Sequence, residues 1–163
     1  MPARPTRRAV LAVAAALIAA TLAPAGAADD PIAFAKSLYA LQSLWSDVLA
    51  EPAKYLTEDF AKVVADNDKY NDDLDYAVDY DPLAQAQDWD QLENQIFVLE
   101  TSGTDTATVK VDFTNFDATT TVHLDLHHTD KGWRLADLHN ADGGSLLKEY
   151  AGLNAAGKAA TNK

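Results

Sequence analysis

The chain has no cysteine among its 163 residues. That excludes disulfides, thiolate metal sites, cysteine nucleophiles and lipid attachment at a lipobox. Stability must come from a packed core. Basic residues are scarce once the N-terminus is passed. Three of the 13 lie in the first eight residues, whereas all 25 acidic residues follow Ala27. Beyond Ala27 stand 25 acidic and 10 basic groups, a formal net charge of −15. Phosphates need Lys and Arg to displace their counterions, and anionic membrane surfaces need the same. The charge therefore argues against nucleic acid and anionic membranes as partners. Solvation alone explains an acidic surface, and a cationic partner is the functional alternative. Gly-rich phosphate loops, Gly-x-Ser-x-Gly and His-Glu-x-x-His are also missing.

What is there begins with an export signal. Arg4, Arg7 and Arg8 form a positive front end, and residues 9–22 are uncharged and mostly Ala, Leu, Val and Ile. Ala25-Gly26-Ala27 supplies the small-x-small pattern for cleavage after Ala27, with Ala28 as second choice. A membrane anchor is the rival reading. The run of 14 residues falls short of the roughly 20 that span hydrocarbon as a helix. Pro24 and Gly26 also interrupt it where an anchor would continue. Thr6-Arg7-Arg8-Ala9-Val10-Leu11 loosely resembles a twin-arginine signal. Paired arginines are ordinary in general secretory signals too, so both routes stay open. The expectation is a removed signal peptide over residues 1–27, no membrane anchor and a periplasmic product.

About 136 residues then remain, enough for one domain with a core. Residues 31–50 read as one helix, with Phe34, Leu38, Leu41, Trp45, Val48 and Leu49 at three- and four-residue steps. Pro31 suits its first turn and Pro52 marks its end. Thr57 is a natural N-cap for a second helix whose inner face is Phe60, Val63 and Val64. Residues 66–73 are polar and turn-like. Residues 74–91 are irregular but hold Tyr76, Tyr80 and Trp89, so they should pack on something rather than act as a linker.

Strand patterns follow. Residues 94–101 are the first strand. Ala107, Val109, Val111 and Phe113 alternate with polar residues in the second, and Val122, Leu124 and Leu126 do so in the third. Asp130-Lys131-Gly132 forms a hairpin turn into a fourth strand over residues 133–139. Ser145 caps a short helix through Leu146, Leu147 and Tyr150. The expected class is α+β: helices packed on one face of a four-stranded antiparallel sheet. The domain spans residues 28–152, followed by a flexible tail over residues 153–163.

This order of elements resembles the nuclear-transport-factor-2-like fold, a cone made by a bent sheet wrapped round helices. Two motifs resemble an uncharacterised bacterial family of exported and lipoprotein domains with that fold. One is Asp81-Pro82-Leu83 followed by Ala86-Gln87-Asp88. The other is Gly132-Trp133-Arg134-Leu135-Ala136-Asp137, with the Leu146-Leu147 helix near it. Tyr55-Leu56-Thr57 before the second helix also fits, and the resemblance spans residues 32–152. It implies fold and location more than activity. Some small exported domains of this kind neutralise toxins as immunity proteins.

Four groups of residues are candidates for a site. The loop carrying Asp79, Tyr80, Asp81, Gln87, Asp88 and Trp89 can make a pocket floor, where burial raises a carboxylate's pKa. The same residues can equally cap turns and plug the cone. His123, Asp125 and His127 lie on one strand face about 7 Å apart in each pair, a possible metal set. They should face outward with no fourth ligand, so no metal is expected. The acidic stretch over residues 66–75 fails as a calcium loop. Asn71 and Ala77 stand where Gly and Glu are required. His128 and Asp137 form a possible base–acid pair, since isomerases of this fold use such pairs. Strand parity puts Asp137 with Trp133 and Leu135 on the inner face; alternatively Asp137 hydrogen-bonds the neighbouring loop.

The expectation is thus a non-enzymatic binding domain, with no catalytic residue and no cofactor. Its ligand-binding residues would be Tyr80, Asp81, Gln87, Asp88, Trp89, Trp133 and Asp137, at the cone mouth or the sheet's outer face. The partner is a small ligand or a protein, cationic ones included. The alternatives are an isomerase- or hydrolase-like enzyme with pocket carboxylates and a toxin-neutralising immunity protein.

Overall fold

The computed structural model describes residues 30–70 and 74–162. The signal-peptide reading over residues 1–27 lies outside the described residues, as does part of the acidic stretch. Helix α1 (Pro31–Tyr39) starts on Asp30, whose carboxylate accepts from the Ile32 N–H at 2.9 Å, with Pro31 in the first turn. It does not continue to residue 50. The chain breaks after Tyr39, and α2 (Leu44–Ala50) follows as a separate helix. In one continuous helix the Trp45 N–H would bond the Leu41 carbonyl. Instead it donates to Asp81 Oδ2 at 3.0 Å, while Asp47 accepts from the Ser43 N–H at 2.9 Å. A carboxylate from elsewhere in the chain thus caps α2, and Leu44 takes a positive φ of 34° at the corner.

A short helix, α3 (Pro52–Tyr55), precedes α4 (Glu58–Asn67). Thr57 Oγ1 caps α4 through the Phe60 N–H at 3.4 Å. Phe60 and Val64 are buried. The sheet is a meander of β1 (Glu93–Ser102), β2 (Thr106–Asn115), β3 (Ala118–Thr129) and β4 (Gly132–Asn140), paired antiparallel in that order. Asp130 and Lys131 alone link β3 to β4, and Gly132 closes the turn at φ 92°.

Alternation puts Val109, Val111, Phe113, Val122, Leu124 and Leu126 on the face under the helices, all at most 1% exposed. Thr108, Lys110, Asp112, Thr121, His123 and Asp125 lie on the other face. Strand β4 departs from simple parity. Leu135 pairs with Leu126, yet Asp137 pairs with Asp125, so Ala136 is an extra residue and a bulge. The bulge returns Leu138 to the core, where it is 1% exposed, and turns Asp137 away from it. The expectation that Asp137 shares a face with Trp133 and Leu135 is therefore overturned.

The two sheet edges differ. Leu56 bridges to Leu135 on β4, the Thr57 N–H donates to the Leu135 carbonyl at 2.9 Å, and Arg134 Nε donates to the Ala53 carbonyl at 3.2 Å. That edge is closed by the α3–α4 segment. On the other side β1 pairs only with β2 among the described residues.

The last helix, α5 (Leu146–Thr161), is capped by Ser145 as expected but does not fray after Gly152. It packs on α4 along its length. Asn154 donates to the Val63 carbonyl at 2.9 Å and accepts from Asn67 at 2.9 Å. At Gly157 the approach is so close that a Cβ would lie 2.6 Å from Cγ of Tyr70. The segment expected as a flexible tail is thus docked helix. A composition of Ala, Gly, Asn and Lys hides this, because small residues serve close packing as readily as disorder. Among the described residues, no helix is long and apolar enough to cross a membrane.

Candidate functional site

The space between helices and sheet is filled. Phe60, Phe113, Leu38, Leu83, Leu124 and Leu135 are all at most 1% exposed and form one continuous core. The described clefts open on the surface. The one that gathers most of the expected residues lies between α2 and the loop over residues 78–89. It has a volume of about 390 Å³. Trp45, Leu49, Val78 and Trp89 give it apolar walls, Asp79, Tyr80, Asp81 and Gln87 give it polar ones, and Gln42, Ser43 and Ser46 complete the rim. Among the described residues, no Lys or Arg lines it.

Asp81 organises this region. Its Oδ1 accepts from the N–H groups of Leu83 (2.9 Å) and Ala84 (3.2 Å), forming the turn that buries Leu83, while Oδ2 caps α2 through Trp45. Burial raises its pKa above the ordinary 3.8, and the three backbone donors only partly oppose that. Asp79 Oδ2 accepts from Gln87 Nε2 at 2.9 Å. Tyr80 donates its hydroxyl to Glu149 Oε2 at 2.7 Å, and burial first, then this bond, raises its pKa. Trp89 is half-buried against the core and presents its remaining face to the cleft.

Four expected residues, Tyr80, Asp81, Gln87 and Trp89, thus line one cleft. Asp88 is exposed beside it, and its carbonyl accepts from Asn115 Nδ2 at 3.2 Å. Trp133 and Asp137 are elsewhere. Trp133 is packed on the inner face of β4, edge-on to His128 with ring centroids 5.0 Å apart. Leu49, at helical spacing with the buried Trp45, is itself 40% exposed and forms part of the cleft wall.

Asp137 caps α5. Its Oδ1 accepts from the Leu147 N–H at 2.9 Å and its Oδ2 from Ser145 Oγ at 2.5 Å, while Ser145 Oγ accepts in turn from the Lys148 N–H. The bond to the neighbouring loop is therefore the role seen for Asp137. Asp137→Ala is expected to lower stability by about 1–2 kcal/mol, the usual effect of losing a charged cap. Urea unfolding would measure it. A change under a few tenths of a kcal/mol would show that Ser145 caps α5 unaided.

On the sheet's outer face the polar residues pair in small groups. His123 Nδ1 meets Glu100 Oε2 at 2.8 Å, and His139 Nε2 meets Asp125 Oδ2 at 3.0 Å and Asp137 Oδ2 at 3.5 Å. Lys110 pairs with Asp112 at 2.8 Å, which holds the Asp112 carboxyl below its ordinary pKa. His127 is exposed one step along β3. Among the described residues, no three His, Asp or Glu side chains converge on a point where a metal ion would be held.

No family model matches the chain, and neither a curated protein nor a solved structure matches it.

Proposed function

We propose that the chain is an exported, non-enzymatic binding domain of the nuclear-transport-factor-2-like type, and that it captures a small cationic ligand in the cleft between α2 and the loop over residues 78–89. Export rests on residues 1–27 alone. The fold assignment is supported by helices followed by a four-stranded antiparallel meander, together with the Asp81-Pro82-Leu83 and Gly132-Trp133-Arg134-Leu135 motifs. One observation carries the ligand class. The cleft joins the exposed side of Trp89 to the carboxylate of Asp79, and among the described residues no basic one stands in its wall. An aromatic face beside a carboxylate attracts an ammonium group by cation–π and Coulomb terms together.

The raised pKa of Asp81 is the feature that would favour an enzyme instead. Both its oxygens already accept backbone N–H bonds that close the turn and cap α2, a structural role that the binding reading leaves in place.

Titration with choline and putrescine, followed by tryptophan emission, tests the proposal. Saturable change is expected with the parent protein. Trp89→Ala should abolish it, and Asp79→Asn should weaken affinity by about tenfold, the equivalent of one modest charge contact. Emission that ignores every cationic probe, or that responds equally in Trp89→Ala, would sink the reading.

A further inference from the structure

We infer that β1 is a self-pairing edge, and that two copies of the chain join through it into one continuous eight-stranded sheet. The inference is independent of the cleft. It starts from the asymmetry of the sheet. The β4 edge is closed by Leu56, Thr57 and Arg134, whereas among the described residues β1 has a partner on one side only. An open edge presents alternate backbone N–H and C=O groups with nothing to bond but water. Natural sheets blunt such an edge with lysine, proline, bulges or a very short strand. Strand β1 has no lysine or proline, and its two bulges, between Glu93 and Ile96 and between Leu99 and Thr101, leave residues 96–99 as a regular, unprotected segment.

The side chains point the same way. Among the described residues, three of the five exposed large apolar ones, Ile96 (58%), Val98 (41%) and Leu99 (39%), are on β1. The strand is also held firmly in place for pairing. Phe97 packs against Tyr39 with ring centroids 5.7 Å apart, and Lys36 Nζ lies 5.8 Å from its centre.

A second copy fits this edge better than an arbitrary strand, because β1 complements itself. Antiparallel pairing about a two-fold axis normal to the sheet keeps each side chain on its own face. With Phe97 on the axis, Ile96 stands opposite Val98 of the other copy, both within the regular segment over residues 96–99. Since the described residues of each copy leave one open edge, the pairing also stops at two chains and cannot grow into a fibre. The charge of −15 on each copy opposes approach, so screening by salt should strengthen the dimer.

Sedimentation of the mature chain across a range of protein and salt concentrations gives the first reading. A reversible dimer, tighter in higher salt, is expected. Ile96→Lys should weaken dimerisation by about 30-fold or more, since two cross-strand apolar pairs are lost and an edge lysine is introduced. The variant leaves the fold intact, because Ile96 is exposed and a lysine there faces Asp112 across β2. The absence of cysteine permits a sharper measurement. Facing residues on the axis have Cα atoms about 4.5–5.5 Å apart, within disulfide range. Phe97→Cys should therefore crosslink into a dimer on oxidation. Val98→Cys should not, because its copies are offset by two positions. A monomer at all concentrations would overturn the inference. So would a dimer indifferent to Ile96→Lys, or one that crosslinks equally well through either cysteine.

Discussion

Phe60→Ala is expected to lower stability by about 3–5 kcal/mol, among the largest effects available in this molecule. The side chain is 0% exposed and lies between two other rings, with Trp45 at 5.9 Å and Tyr150 at 6.4 Å. Those rings come from α2 and α5 and are joined to each other, since Trp45 Nε1 donates to the Tyr150 hydroxyl at 3.0 Å. Burial pushes the Tyr150 pKa up to about 12, so the hydroxyl stays protonated. Phe60 is thus the wedge through which α4 holds α2 and α5 together. Removing it leaves a cavity that three anchored elements cannot collapse to fill. Phe60→Leu keeps most of the volume and should lose about 1–1.5 kcal/mol. Chemical denaturation followed by far-ultraviolet circular dichroism would measure both. The midpoint should fall while the slope stays the same. A loss below about 1 kcal/mol for the alanine variant would mean that the three rings are not packed as described.

The strands were legible because their period is two and their signal is local. Val109, Val111 and Phe113 declare an inner face without help from the rest of the chain. The Thr57 cap and the Asp130-Lys131-Gly132 turn were legible for the same reason. Three features were not, and each depends on a distant group. The break between α1 and α2 needs Asp81 to replace the carbonyl of Leu41. Apolar spacing runs unbroken through residues 34–49, so no local signal marks the break. The bulge at Ala136 needs the pairing of β4 with β3. Parity read along β4 alone puts Asp137 on the wrong face. The docking of α5 needs Tyr70 and Val63, which the small residues after Gly152 do not reveal. The site shows the same division. Tyr80, Asp81, Gln87 and Trp89 were visible as an aromatic and acidic cluster. Leu49, Ser43 and Ser46 were not, because only the helix break brings that side of α2 to the cleft.

Asp81→Ala is expected to remove about 2–4 kcal/mol, more than a single lost cap, because one carboxylate holds two elements. It satisfies Leu83 and Ala84 in its own turn and Trp45 at the start of α2. Without it the Trp45 N–H faces a gap beside the core, and the turn that buries Leu83 loses its closure. Hydrogen exchange should then rise in α2 and around residue 83 before it rises in the sheet. Asp81→Asn gives a second, separable result. The amide keeps one acceptor oxygen, so the loss should be smaller, about 1–2 kcal/mol. It also cannot ionise. In the parent protein, burial raises the Asp81 pKa above its unfolded value near 3.8, so the folded state holds the proton more tightly. That proton's contribution to stability is complete below the unfolded pKa. It is lost as pH rises through the higher folded pKa. The stability difference between parent and Asp81→Asn should therefore narrow as pH rises across that window and stay constant above it. A difference that instead widens with pH would mean that the three backbone donors outweigh burial, with the folded pKa lying below 3.8.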